Sequence, residues 1–109
     1  MPELKKYKMF IGGEWVDSDT KKTFETLNPE DNKPWAVVPE ASANDVDKAV
    51  KAAQKAFEGD WPKILPRERA KFLRAIGKKL RDNAELLGKI ETIDTGKLFR
   101  ETNKQANYI

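Results

Sequence analysis

The feature that most constrains this fold is an apolar stripe that recurs at three- and four-residue spacing through the second half of the chain. Pro66 suits the first position of a helix, and Glu68 complements the positive end of the helix dipole. The spacing predicts a helix over about residues 66–95 whose apolar side must pack against another layer. A capping-box pattern at residues 82–85 predicts a kink or short break within it. The stripe consists of Leu73, Ile76, Leu80, Ala84, Leu87 and Ile90.

Two acidic side chains close this helix, just before the glycine that ends it. Glu91 and Asp94 lie where the partial negative charge of the helix end disfavours a carboxylate by roughly a few tenths of a kcal/mol. Gly96 is ordinary at that place, because a left-handed closing residue costs glycine little. Helix stability alone does not select these acids, so three uses stay open: a bound cation, the cap of the next helix, or water.

Short strands are predicted over about residues 8–38. Gly12 and Gly13 separate two β-type runs, which predicts a tight hairpin because its turn requires positive φ. Residues 28–34 are dense in turn formers and lie between two further apolar runs. We therefore expect a second hairpin with a looser turn.

Two more helices complete the predicted architecture. Ser42 and Asp45 are spaced as a capping box, which opens a helix over about residues 42–58. After Gly96 the chain restarts in a helix over about residues 98–109, which has no stop signal and ends on two apolar residues, as if cut within an element. The sequence predicts an α+β fragment: two short N-terminal β-hairpins followed by three helices.

The composition excludes several kinds of chemistry. The 109 residues contain no cysteine and no histidine, which removes disulfides, thiolate metal sites and cysteine or histidine nucleophile systems from this segment. The net charge is +3, from 21 basic and 18 acidic residues that alternate, which favours a solvated surface over a nucleic-acid footprint. No apolar run is long enough to span a membrane, and the start lacks a secretory signal. We expect a cytoplasmic protein with no nucleic-acid or membrane partner.

Several short motifs follow one another in a distinctive order. They are Phe10–Val16, Phe24–Pro29, Val38–Ser42, Asp45–Val50, Pro66–Ala70 and Glu91–Lys97. In this order and spacing the chain resembles the N-terminal portion of the NAD(P)-dependent aldehyde dehydrogenase superfamily, from about Met9 onward. Leu98 departs from the pattern, because many relatives have proline there.

This resemblance implies the activity of a longer parent protein. In that family a cysteine thiolate attacks an aldehyde, hydride passes to the nicotinamide of NAD or NADP, and a glutamate-activated water releases the carboxylic acid. The groups that do this lie beyond the part of the family pattern seen here, and so does the Rossmann-like cofactor domain. The resemblance therefore implies no catalytic and no cofactor-binding residues in this chain, which alone would be non-catalytic. The absence of cysteine agrees with that expectation.

The resemblance also implies a site for a monovalent cation, potassium or sodium. The matching positions are Thr26 and Leu27, through backbone carbonyls, and Asp94, through its carboxylate. Hard cations prefer such oxygen ligands, and the end of a helix adds negative potential. The competing interpretation is that Asp94 caps the following turn or faces water. A further ligand would be expected from the parent's remaining sequence.

Two other classes of function stay open at this stage. A small stand-alone protein-interaction module with no enzymatic activity predicts one cooperative, monomeric unfolding transition. An incomplete enzyme segment instead predicts exposed apolar faces, a need for the rest of the same polypeptide, and a homodimeric or homotetrameric parent acting on a small aldehyde. A basic nucleic-acid binder predicts salt-dependent binding to DNA.

Overall fold

The computed structural model describes residues 3–108, which form two compact units. One unit contains residues up to Thr26 together with Pro34–Lys63, and the other contains Leu27–Lys33 together with residues from Ile64 onward. Short strands followed by helices confirm the predicted α+β class. The elements are β1 (Lys5–Lys6), β2 (Met9–Ile11), β3 (Glu14–Val16), β4 (Thr23–Asn28), β5 (Lys33–Pro39), α1 (Ala43–Glu58), a 3-10 turn (Trp61–Lys63), α2 (Pro66–Asp82), α3 (Ala84–Thr95) and α4 (Phe99–Asn107).

The first hairpin joins β2 and β3 in antiparallel pairing, as predicted. Gly12 and Gly13 have φ values of +61° and +85°, the positive-φ turn for which glycine is selected. Phe10 and Trp15 are directly paired across the strands, and their ring centroids lie 4.9 Å apart. Both rings remain mostly exposed to solvent.

The second predicted hairpin lies within a three-stranded sheet in the order β1-β5-β4. The four residues between β4 and β5 can join only antiparallel neighbours, because a parallel connection needs a long crossover. The parallel strand β1, which pairs Lys5 with Ala36 and Lys6 with Val37, was not predicted. Its two lysines carry no apolar alternation, so only tertiary pairing reveals it.

Helix α1 begins with the predicted capping box. The Asp45 backbone N–H donates to Ser42 Oγ at 3.1 Å, and the Ser42 N–H donates to Asp45 Oδ2 at 3.0 Å. The helix contacts β2, and it also approaches the hairpin turn, since a Cβ at Gly12 would lie 3.8 Å from Ala52 Cβ. Its larger apolar residues Val46, Val50 and Phe57 are exposed.

The long predicted helix is divided at Asn83 into α2 and α3, so the chain has four α-helices where the sequence predicted three with a break in the middle one. The predicted capping box at this break does not form. The Asn83 side-chain amide donates back to the Lys79 carbonyl at 2.9 Å, and the Asp82 carboxylate binds Lys78 Nζ at 2.6 Å. Both side chains thus bind the preceding helix, and α3 has no side-chain cap.

Helices α3 and α4 cross at close range within the second unit. A Cβ at Gly88 would lie 2.9 Å from the Asn103 backbone nitrogen, so only glycine permits this approach. Thr102 is fully buried, and its hydroxyl donates to the Gly88 carbonyl at 3.0 Å. Helix α4 starts at Phe99, one residue later than predicted, and the end of the predicted helix at Ile109 lies outside the described residues.

Candidate functional site

Helix α3 ends at a glycine in the left-handed conformation, just after two acidic residues. Gly96 has a φ of +76°, and its N–H donates to the Thr92 carbonyl at 2.9 Å, which closes the helix. Glu91 and Asp94 both precede this closing residue, and no basic residue lies in the last turn of α3. Two carboxylates therefore lie at the end of the helix that carries partial negative charge.

Glu91 forms an ion pair with Lys97, which follows the glycine that ends the helix. Lys97 Nζ lies 2.7 Å from Glu91 Oε1, so the chain folds back past Gly96 and supplies its own cation. Thr95 supports this return, because its hydroxyl donates to the Glu91 carbonyl at 2.7 Å and accepts from the Lys97 N–H at 3.3 Å. This internal ion pair was not among the three uses that the sequence left open.

The three predicted cation ligands lie on two elements. Thr26 and Leu27 are neighbours on β4, where Thr26 is half-buried and Leu27 is exposed. Asp94 is exposed in the last turn of α3. Leu27 and Asp94 belong to the second unit, whereas Thr26 ends the first segment of the other unit. The ligand assignment to these three residues stays a prediction.

The turn after β4 belongs to the second unit and is held by hydrogen bonds among its own residues. Asn28 Oδ1 accepts from the Glu30 N–H at 3.0 Å, and the Asn28 carbonyl accepts from the Asn32 N–H at 2.8 Å. Asn32 adopts a φ of +56°, which asparagine tolerates better than most residues. The stretch predicted as a turn is therefore folded by its own asparagines.

This turn lies against the acidic end of α3. A Cβ at Gly96 would lie 3.1 Å from Pro29 Cγ, so this glycine serves both the helix end and the close approach of the turn. The two segments border a cavity of about 500 Å³. Its lining is Asn28, Pro29, Glu30, Thr92, Ile93, Gly96, Lys97, Leu98 and Phe99. The residues that line this cavity are close in sequence to the three predicted cation ligands, but none of these ligands lines it.

Residues 3–108 contain no group of three or more histidine, cysteine, aspartate or glutamate side chains placed to hold a metal ion. The predicted cation site would supply one carboxylate and two backbone carbonyls. That set matches the preference of a hard, weakly charged cation rather than of a transition metal.

The capping residue Asp45 has further partners that the sequence did not predict. Asp45 is only 3% exposed, and Ser18 Oγ donates to its Oδ2 at 2.8 Å. The Asp19 N–H donates to Asp45 Oδ1 at 3.2 Å. Hydrogen bonds from the backbone of Ser42, from Ser18 and from the Asp19 backbone lower the pKa of Asp45 to about 2, against the opposing effect of burial.

Asp19 extends this cluster at the surface. Its Oδ2 accepts from Asn44 Nδ2 at 2.8 Å, and this hydrogen bond, followed by one from Ser42, lowers the pKa of Asp19. The sequence signal for the contact is weak, because Ser18 and Asp45 are 27 positions apart and residues 17–22 read only as a polar loop. The cluster joins that loop to the start of α1.

Comparison with known proteins decides the family. The sequence profile of the aldehyde dehydrogenase family matches residues 15–109. The chain belongs to the aldehyde dehydrogenase family. It is 41% identical, over 101 residues, to aldehyde dehydrogenase family 2 member C4 of Arabidopsis thaliana, covering 92% of this chain and 20% of that protein. The predicted resemblance to the N-terminal portion of the family is confirmed.

Solved structures agree with the sequence comparison. An NAD-dependent aldehyde dehydrogenase from Sinorhizobium meliloti matches 97% of this chain with a TM-score of 0.92 and 30% identity. A betaine aldehyde dehydrogenase from Staphylococcus aureus, solved in complex with NAD+, matches 92% with a TM-score of 0.88 and 36% identity. The chain covers 22% and 20% of these two structures. It thus spans about a fifth of the length of the relatives it matches.

None of the helices within residues 3–108 is long and apolar enough to cross a membrane.

Proposed function

We propose that this chain is the N-terminal part of an NAD(P)-dependent aldehyde dehydrogenase, an enzyme that oxidises an aldehyde to a carboxylic acid. The observation that carries the proposal is the match of 97% of the chain to an NAD-dependent aldehyde dehydrogenase at a TM-score of 0.92. Binding of the aldehyde and of NAD or NADP is assigned to the rest of the polypeptide. The segment itself is a non-catalytic scaffold.

The residues of the chain support a non-catalytic role for this segment. Oxidation through a thiolate requires cysteine, and these 109 residues have none. A cofactor supplies the hydride acceptor, whereas the protein supplies binding and orientation. The side chains of this segment contribute instead to the local order of the α3 end, through the Glu91–Lys97 ion pair and the turn at Asn28.

The test uses the whole protein, which includes residues 1–109 and the sequence encoded after Ile109. We expect it to reduce NAD or NADP when a panel of aliphatic, aromatic and betaine aldehydes is added, and to form one carboxylic acid for each cofactor reduced. Alkylation with iodoacetamide should abolish the reaction, and the modified cysteine must lie outside residues 1–109. Failure to reduce either cofactor with any aldehyde of the panel would contradict the proposal.

We further propose that the carbonyls of Thr26 and Leu27 and the carboxylate of Asp94 contribute to a monovalent cation site in the whole protein. The chemistry of these oxygens and the negative potential at the end of α3 support it. A cation there would also offset the charge of an acid that helix stability does not favour. The remaining ligands would come from the rest of the polypeptide.

Potassium titration tests this site. At constant ionic strength set with a choline salt, potassium should raise the thermal midpoint of the whole protein, with a gain of about 2.7 kcal/mol at a concentration 100 times its Kd. Asp94→Ala should abolish the shift. The matched control is Glu85→Ala, which removes an exposed acid from the first turn of the same helix and should leave the shift intact. A shift that survives Asp94→Ala would refute the assignment.

We propose in addition a cytoplasmic homodimer or homotetramer. The exposed apolar residues of both units support the presence of further packing layers. Sedimentation equilibrium of the whole protein should give a mass two or four times that of one subunit; a monomer at every concentration would contradict this part of the proposal.

A further inference from the structure

A cavity of about 290 Å³ lies between Tyr7 and the loop after β3, within the unit that contains α1. Residues 5–8 and 17–22 meet beside it, where Lys8 Nζ lies 3.8 Å from Asp17 Oδ1. These two segments contain five lysines and two aspartates, a net charge of +3 that equals the formal net charge of the whole chain. The excess positive charge of the chain therefore lies around this cavity.

The loop on one side of the cavity is held in place by its own contacts. Ser18 is buried, and its hydroxyl donates to the Asp45 carboxylate at 2.8 Å. The Lys21 N–H donates to the Ser18 carbonyl at 2.9 Å, and the Glu40 N–H donates to the Lys22 carbonyl at 2.9 Å. A ligand of the two lysines would therefore meet a backbone that is already ordered, which lowers the entropy lost on binding.

The two lysines of this loop line the cavity, and local stability does not select them there. Lys21 has a φ of +60°, a left-handed conformation that glycine or asparagine adopts at lower cost. Unfavourable backbone conformations of this kind are concentrated at functional sites. Asp17 faces both Lys21, at 3.6 Å, and Lys8, so one carboxylate serves two ammonium groups. Lys22 forms no ion pair with any residue in the range 3–108.

Tyr7 adds a hydroxyl group to the cationic side chains. It lines the same cavity, and its hydroxyl is buried without a hydrogen-bond partner among residues 3–108. A buried hydroxyl that makes no hydrogen bond leaves its desolvation cost uncompensated. An oxyanion that reaches this group would accept from it and from the lysine ammonium groups together.

We propose that this cavity binds a phosphate group, either as free phosphate or as the phosphate of a small monoester. A phosphate group carries about −1.5 to −2 charges and several strong acceptor oxygens, which match two ammonium groups and one hydroxyl. Lysine binds phosphate as a point charge and needs no paired geometry. The volume of the cavity leaves room for the organic part of a monoester. The site is separate from aldehyde oxidation and from the predicted cation ligands.

Calorimetric titration of the whole protein with inorganic phosphate, at constant ionic strength set with chloride, tests the site. We expect saturable binding that Lys22→Met weakens at least about tenfold, because the change removes a charge-assisted contact. Tyr7→Phe removes only the hydroxyl and should weaken the binding as well. The matched control is Lys55→Met, which removes the same charge from an exposed position on α1 and should leave the affinity unchanged.

Glycerol 3-phosphate distinguishes the two sources of the phosphate group. Tighter binding than that of inorganic phosphate would assign the site to a monoester, and equal or weaker binding would assign it to free phosphate; both results support the proposal if Lys22→Met reduces them. An affinity that is the same in the wild-type protein and in Lys22→Met would place the anion elsewhere and overturn the proposal. Saturable binding of a single-stranded DNA oligonucleotide without binding of phosphate would overturn it too, because the lysines would then contact nucleic acid.

Discussion

The two helix ends that carry clustered acids in this chain use them in opposite ways. At the start of α1, Asp45 is buried and accepts hydrogen bonds from Ser18, Asp19 and Ser42, and the positive end of the helix dipole favours its charge. At the end of α3, Glu91 and Asp94 lie against the dipole, and the pair formed by Glu91 with Lys97 is partly exposed. The first end obeys every local rule for a helix terminus, and the second does not.

The two ends differ in how far the hydrogen bonds and ion pairs of the chain explain the position of their acids. Every described partner of Asp45 belongs to its own unit, so capping and loop attachment account for the residue in full. The pair with Lys97 accounts for Glu91. Asp94 lies in the same last turn, where the helix dipole also disfavours a carboxylate. Local rules are commonly broken at functional sites. The cation proposal, which the family resemblance implies, places Asp94 at such an end, whereas Asp45 lies at an ordinary one.

The largest effect is expected from removal of the Asp45 carboxylate. We expect Asp45→Ala to cause the largest fall in the stability of α1, because it leaves the buried Ser18 hydroxyl without its carboxylate acceptor. Ser42→Ala, which removes the other half of the capping box, should cost about 1 kcal/mol. Hydrogen exchange of the peptide spanning α1, measured in the whole protein, reports both.

The matched control for this prediction is Asp47→Ala. Asp47 lies on the same helix, but it is exposed and forms a surface ion pair with Lys51 at 2.7 Å. Its removal should change exchange in α1 little, because surface ion pairs contribute little to stability. Equal effects of Asp45→Ala and Asp47→Ala would show that burial of Asp45 contributes nothing.

Acidification should weaken the α1 end next. The pKa of Asp45 is about 2 in the folded chain and its ordinary value is 3.8, so the unfolded chain binds more protons between these two values. The stabilisation is therefore complete above about pH 4 and is lost as the pH falls toward 2. The pKa of Asp19 is lowered as well and acts in the same direction. Asp45→Asn should flatten the pH dependence of α1 exchange in this window; an unchanged slope would contradict the assignment.

The parts of the fold that could be predicted are those specified by adjacent residues. Gly12 and Gly13 determine the hairpin turn, and Ser42 with Asp45 determines the first turn of α1. The break at Asn83 was predicted as well, although its side chain binds the preceding turn instead of capping the next helix. Local backbone chemistry suffices for these features, since it does not depend on the packing of distant elements.

Several features that escaped prediction join residues far apart in sequence. Ser18 reaches Asp45 across 27 positions, and Thr102 reaches Gly88 across 14. A hydroxyl in a polar loop gives no sign of its distant acceptor, and a glycine inside a helix gives no sign of which backbone approaches it. At the candidate site, the acidic end of α3 was visible in the sequence, whereas the return of Lys97 to Glu91 required the geometry after Gly96.

The smallest effect is expected from Lys97→Ala, which tests the ion pair at the end of α3. The Lys97 and Glu91 side chains are 50% and 36% exposed, so the loss should be at most about 0.5 kcal/mol and should shrink in high salt. Lys89→Ala is the control, because Lys89 pairs with Glu85 near the favourable start of the same helix. Hydrogen exchange in α3 without potassium should show the larger effect for Lys97→Ala, since it removes the cation that pairs with Glu91 at the negative end of the helix. If potassium then restores the protection of α3 in the Lys97→Ala protein but not in the Lys97→Ala/Asp94→Ala double variant, the cation and the lysine neutralise the same helix end.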